Sequence, residues 1–302
     1  MNGPLARVAR VAVTEWGIAL RSRRALVVTL LFLAVSCLMM FCTISIFAAL
    51  EREVVAALRL PPSATTGSVT MALWKSPVFV RVMDHFAGNS LLFADIRGRH
   101  PILLAYAMFL FQVVPLLTLL VSASRVADDI RSGTVRYWLA RVTRNEWSVG
   151  KYLGEAAMLS AAMFAGALAA WGVAVWRFAG WDGAVLLPGI LDWTLRACVY
   201  AFAWLGLFTG LSHLARSGGK ATALSILAML GAAAWPLMLE NLTPETGVLA
   251  GLRHLDVLVP RTSMPLLWRR APGALVQGVV QLVALGFLYL SFGAAVFRRR
   301  DV

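Results

Sequence analysis

Charge is what this 302-residue sequence has least of: 14% of its residues are Asp, Glu, Lys or Arg. A soluble domain carries about a quarter, so an ordinary water-soluble fold is excluded. Cysteine is scarce as well. Cys37, Cys42 and Cys198 all lie inside apolar runs, with no CxxC pair and no histidine at ligand spacing. That argues against a disulfide framework or a thiolate metal site and leaves them as small buried hydrophobes. HExxH, GxSxG and the Walker P-loop are missing. "RSGGKA" at 216–221 imitates the last of these, but Leu214 stands where its first glycine belongs and Ala221 replaces the Ser or Thr. The chain therefore has no means of hydrolysing ATP by itself. A cleavable secretory leader is not expected either, because the first apolar run, from about Ala25, is too long for one.

What is present is hydrophobicity: 60% apolar residues and a mean hydropathy of +0.75. The net charge of +13 does not indicate nucleic acid, because the basic residues gather at the ends of apolar runs, as membrane topology requires. Runs long enough to cross a bilayer predict an all-α polytopic membrane protein with six spans, at 25–49, 101–124, 153–176, 188–213, 221–239 and 274–297. Basic residues are denser in 1–24, 125–152, 214–220 and 298–302 than in the outer segments 50–100 and 240–273, so both termini are expected in the cytoplasm. The expected location is a bacterial inner membrane, and the whole chain reads as one transmembrane domain.

Residues 4–23 are amphipathic. Leu5, Val8, Ala12 and Trp16 fall on one helical face, and Arg7, Arg10, Thr14 and Arg21 on another. This predicts an interfacial helix with its arginines toward lipid headgroups. The outer segment 240–273 is too apolar for plain loop, and a short interfacial helix ending at Pro260 is expected. Within the spans, Asp192 and Arg196 are four residues apart and form either a structural ion pair or part of a substrate pathway. Gln112 and Gln281 are candidates for hydrogen bonds between helices. The outer residues Met71, Met83, Asp84, His85, Asp95 and His100 match no ligand spacing, and no metal site is expected.

The segment "DDIRSGTVRYWLARVTRNEWSVGKYLG", from Asp128 to Gly154, separates the second and third spans. Gly133 permits a turn, Thr134 is a candidate N-cap, and Val135–Arg141 reads as a short helix carrying Tyr137 and Trp138. The segment resembles the signature loop of ABC-2 type permeases, the membrane subunits of type V ABC transporters. Gly133 and Thr134 match that family's GT, Val142-Thr143-Arg144 its V-S-R and Gly150-Lys151 its GK, while Arg141 stands where the family has proline. The resemblance implies an N-terminal elbow helix over 4–23, with Arg7, Arg10 and Trp16. It also implies a coupling helix on which a separate cytoplasmic ATPase docks, through Tyr137, Trp138, Arg141, Arg144, Trp147 and Lys151 around Gly133 and Thr134. It further implies a second permease half, identical or not, with ATP and magnesium bound by the ATPase and no cofactor in this chain. The work would be export of an amphiphilic, lipid-linked or peptide cargo. The long segment 50–100 motivates an alternative, mechanical action on a periplasmic partner.

Overall fold

The computed structural model describes residues 3–57, 76, 95, 99–177, 183–242 and 254–299. Among the described residues ten α-helices follow one another: α1 (Pro4–Arg21), α2 (Arg23–Ala57), α3 (Pro101–Ser122), α4 (Arg125–Ser132), α5 (Thr134–Leu139), α6 (Arg144–Arg177), α7 (Gly183–Leu214), α8 (Gly218–Leu242), α9 (Pro260–Trp268) and α10 (Pro272–Arg298). Among the described residues there is no strand. Of the described residues, five helical stretches are long and apolar enough to cross a membrane: α2, α3 with α4, α6, α7 and α10. The sixth expected span, 221–239, lies in α8, which is not one of those five.

A short 3-10 helix over 254–258 stops just before Pro260, where a short outer helix was expected to end, and a second helix begins at Pro260, with the proline in its first turn, where a missing N–H costs nothing. One expectation needs correction: the third long helix starts at Arg144, well before 153. Thr143 and Glu146 form a reciprocal cap at that point: the Thr143 N–H donates to Glu146 Oε2 at 2.9 Å, and the Glu146 N–H to Thr143 Oγ1 at 3.3 Å. Such a capping box satisfies two amides that a helix start otherwise leaves open. Of the residues considered for a metal, Met71, Met83, Asp84 and His85 lie outside the described residues. Asp95 pairs with Arg269 at 3.5 Å, and His100 caps α3 by accepting the Ile102 N–H through Nδ1. Burial lowers the His100 pKa to about 4, which keeps that nitrogen an acceptor at neutral pH.

The centre of the bundle is α7, which packs most extensively on α10 and then on α3, α6 and α8. Lipid gives helices no hydrophobic reason to associate, so their contact depends on close fit. Glycines supply it between α7 and α10. A Cβ on Gly206 would sit 2.2 Å from the Gly286 carbonyl oxygen, and one on Gly293 would sit 2.5 Å from that of Gly210. Farther along α7, Trp193 and Trp268 (ring centroids 4.7 Å apart) join Phe111 in an aromatic layer. Asp192 and Arg196 do pair, at 3.0 Å, and Arg99 reaches the other Asp192 oxygen at 3.0 Å. Arg196 also donates to the Leu267 carbonyl at 2.6 Å, so this network ties the end of α9 to α7.

The close approach of α7 and α10 gives a direct expectation. Gly206→Val should destabilise the protein by about 1–3 kcal/mol or more, because backbone cannot move aside as a side chain can. Gly231→Ala, where nothing lies within 4 Å, should melt at or above the wild-type temperature. Thermal unfolding in detergent checks both.

Candidate functional site

One end of the bundle gathers α1, α4, α5, the starts of α6 and α8 and the ends of α7 and α10. Gly133 is where the chain turns: it closes α4 and opens α5 in the left-handed region, with φ of 75°. A side chain there is strained. Thr134 was expected as the N-cap of the short helix, but Gly133 holds that place. Thr134 is instead the first helical residue, its hydroxyl bonded to Ser132 Oγ at 2.8 Å. The short helix spans Thr134–Leu139, ending two residues before Arg141.

The N-terminal helix lies along the first turns of α6, and two glycines make this possible. A Cβ on Gly150 would come within 2.6 Å of Val11 Cβ, and one on Gly154 within 2.9 Å of the Ala12 carbonyl oxygen. The face of α1 turned to α6 therefore centres on Val11, Glu15 and Ala19, all buried. The sequence reading assigned no face of this helix to packing on α6. Leu5 and Trp16 are exposed, together with Val13 and Leu20, and form a separate apolar face suited to lipid. Arg7, Arg10 and Thr14 form a third face. Arg7 crosses to Glu146 at 2.7 Å, so α1 grips the capping box at the start of α6.

Lys151 is the hub of this end. It is 2% exposed, and its ammonium meets Glu15 of α1 at 3.3 Å and Asp129 of α4 at a shorter distance. One turn along α6, Glu155 is also buried, within electrostatic reach of Lys151 and Arg125, and neither of its oxygens has a hydrogen-bond partner among the described residues. The charge of α6 is thus bound to two other helices. From α4 the contacts continue: the Ala127 N–H donates to Ser212 Oγ of α7 at 3.1 Å, and Asp128 presses on Gly218, where a Cβ would be 2.2 Å from its Oδ1. His213 joins α7 to α6. Its Nδ1 is held by the Thr209 carbonyl at 2.8 Å and its Nε2 by the Ser148 hydroxyl at 2.9 Å.

The residues expected to form a docking surface divide into two groups. Tyr137 and Arg141 are exposed, the guanidinium lying 4.9 Å from the tyrosine ring centre. With half-buried Trp138 they border a cleft of about 730 Å³ between α5 and α1, whose other walls include Arg7, Arg10 and Thr134. The lining contains three arginines and no carboxylate. Trp147, in contrast, is 0% exposed and packs with Val11, Val126, Val135 and Phe297. It cannot touch a partner, because it fills the core beneath the short helix. Lys151 is equally inaccessible. Arg144 is half-buried and donates to the carbonyls of Phe297 and Arg298, each at 2.9 Å, so it clamps the end of α10. The sequence reading missed Glu15, Asp129, Glu146, Glu155 and His213. The Thr143-x-x-Glu146 spacing was a legible signal for one of them. Nothing local marked the others as partners.

A helical membrane protein with an amphipathic N-terminal helix and a short helix buttressed at one end of the bundle is the class these features define. The chain belongs to the ABC-2 transporter family: a family profile described as ABC-2 family transporter protein matches residues 9–302. It is thus a multi-pass membrane protein and the permease subunit of an ABC transporter, from a family of membrane transport components that are generally non-catalytic and generally work with an ABC ATPase. No curated protein matches the chain.

Removing the hub charge should be costly. Lys151→Met leaves Glu15 and Asp129 facing each other unpaired, a loss of about 3–5 kcal/mol. Adding Glu15→Gln and Asp129→Asn should recover most of it. Melting curves of the single and triple variants decide this, and a single variant as stable as wild type would remove Lys151 from its central role.

Proposed function

We propose that this chain is one of two permease halves in an ATP-driven exporter, with the α1–α5 end in the cytoplasm. The observation that carries this reading is the cleft between the elbow and the short helix. Its arginines, with Tyr137 and Trp138, suit a segment of a partner ATPase that presents an acidic residue and a large apolar side chain, since Arg, Tyr and Trp dominate contact energetics. Six spans with both termini inside fit the path of α8. That helix starts against Asp128 at one end of the bundle, and near its other end Trp235 donates to Asp256 at 2.6 Å.

Force reaching the short helix has a physical route into the membrane. It passes through Gly133 into α4, and from α4 to α7 through Ser212 and to α8 through Gly218. It also passes through the buried Trp147 core and Lys151 into α6. Closure of two ATPases that bind ATP and magnesium would drive the end of each half as a unit, shifting its spans against those of the other half. Mechanical action on a periplasmic partner is the alternative. It rests on segment 50–100, most of which lies outside the described residues.

The test is co-purification of an ATPase from native membranes. Tyr137→Ala with Arg141→Glu should abolish recovery of a P-loop ATPase and of ATP hydrolysis in the eluate while leaving the unfolding free energy within about 0.5 kcal/mol of wild type, as for surface changes generally. Retained ATPase in that variant, or none with wild type in several mild detergents, would overturn the docking assignment.

A further inference from the structure

A second cavity, of about 210 Å³, lies among α3, α7, α8 and α9, away from the coupling end. It exists because α8 rests mainly on α7 and touches α3 and α9 only lightly. Its floor is aromatic and buried: the Phe111 and Tyr200 ring centres are 5.4 Å apart, and those of Tyr200 and Trp204 are 6.1 Å apart. Met229 and Met264 supply adaptable walls. Leu116 and Leu230, at its edge, are exposed, so it opens sideways toward lipid.

Two polar groups distinguish this cavity from a groove that any lipid tail would fill. Gln112 lies within a membrane-crossing helix and lines the cavity, yet among the described residues its side chain makes no hydrogen bond. The interhelical bond expected of it is therefore not formed there. An unmet amide in hydrocarbon costs free energy that a ligand can recover. Among the described residues Arg261, itself exposed, is the one charged residue lining the cavity. Among the described residues it meets no carboxylate, its only bond being to the Ala233 carbonyl at 3.4 Å. A guanidinium beside an aromatic floor and an open apolar flank is complementary to a molecule with an acidic head and a hydrocarbon tail. The volume is below the roughly 300–1,000 Å³ of a drug-sized pocket, which suits part of one chain.

We propose that this cavity binds an acidic single-chain amphiphile, such as a long-chain fatty acid, drawn sideways from the bilayer. The tail lies on Phe111, Tyr200 and Trp204. Arg261 holds the acid group, and Gln112 supplies a further hydrogen bond. The proposal rests on the exporter reading only in taking this occupant for cargo.

The experiment uses the full chain with its ATPase in discs of zwitterionic lipid and a photoreactive long-chain fatty acid, beside the matching fatty alcohol. Saturable labelling of α8 or α9 by the acid, competed by unlabelled fatty acid and not by the alcohol, supports the site. Arg261→Gln should weaken that competition roughly tenfold, the size of one lost charge-assisted bond. Ala233→Phe, which fills the cavity and keeps the charge, should abolish labelling. Both variants are first shown to melt like wild type. Equal labelling by acid and alcohol, or labelling unchanged in both variants, overturns the proposal. So does efficient cross-linking of Leu116→Cys to Leu230→Cys between two copies with the probe excluded, which would make the cavity a subunit interface. Selective labelling without stimulation of ATP hydrolysis upholds the site and counts against the exporter reading alone.

Discussion

A single ammonium group decides how one end of this protein is built. Lys151 is taken out of water at the start of a long apolar helix, where an unpaired charge costs several kcal/mol. Glu15 and Asp129 reduce that cost, and they come from two other helices. The pairing therefore does more than neutralise a charge. It requires α1, the helix before the Gly133 turn and the helix after the capping box to occupy fixed places together. The apolar contacts around Trp147 then close over the same three elements.

The arrangement separates two tasks that the sequence lays side by side. Between Arg131 and Gly154, exposed Tyr137 and Arg141 face outward, while Trp147 and Lys151 are interior. A partner would meet only the first group. What it pushed on would be transmitted by the second, because buried ion pairs and close-packed rings do not yield as a solvated loop does. The contacts of α4 with Ser212 and Gly218 extend that rigidity to two more helices.

Much of this is legible in the sequence. Composition and run length are enough for the membrane class, and GT, V-T-R and GK locate the loop. The N-terminal helix is visible as an amphipathic stretch, but its packing face is not, because hydropathy marks Leu5 and Trp16 as apolar without distinguishing lipid from protein. Glycines at 150 and 154, four apart at a helix start, settled the question by admitting backbone where side chains would stand off. The role of Trp147 was also beyond reach, since an aromatic beside basic residues looks alike whether it meets a partner or fills a core. Glu15 and Lys151 are 136 residues apart, and no local pattern links them.

The seat of α1 on α6 also fixes its register. Gly150 and Gly154 offer a smooth track, and the residues of α1 that cross it are likewise one turn apart. Sliding α1 by a turn, about 5.4 Å, would keep the backbone fit nearly intact. Charge forbids it: a turn before Glu15 is Val11, and a turn after is Ala19, so either slip presents an apolar side chain to Lys151. The glycines act as a rail and the ion pair as a detent. Such a joint allows the helix to be carried as a unit while denying it the freedom to creep.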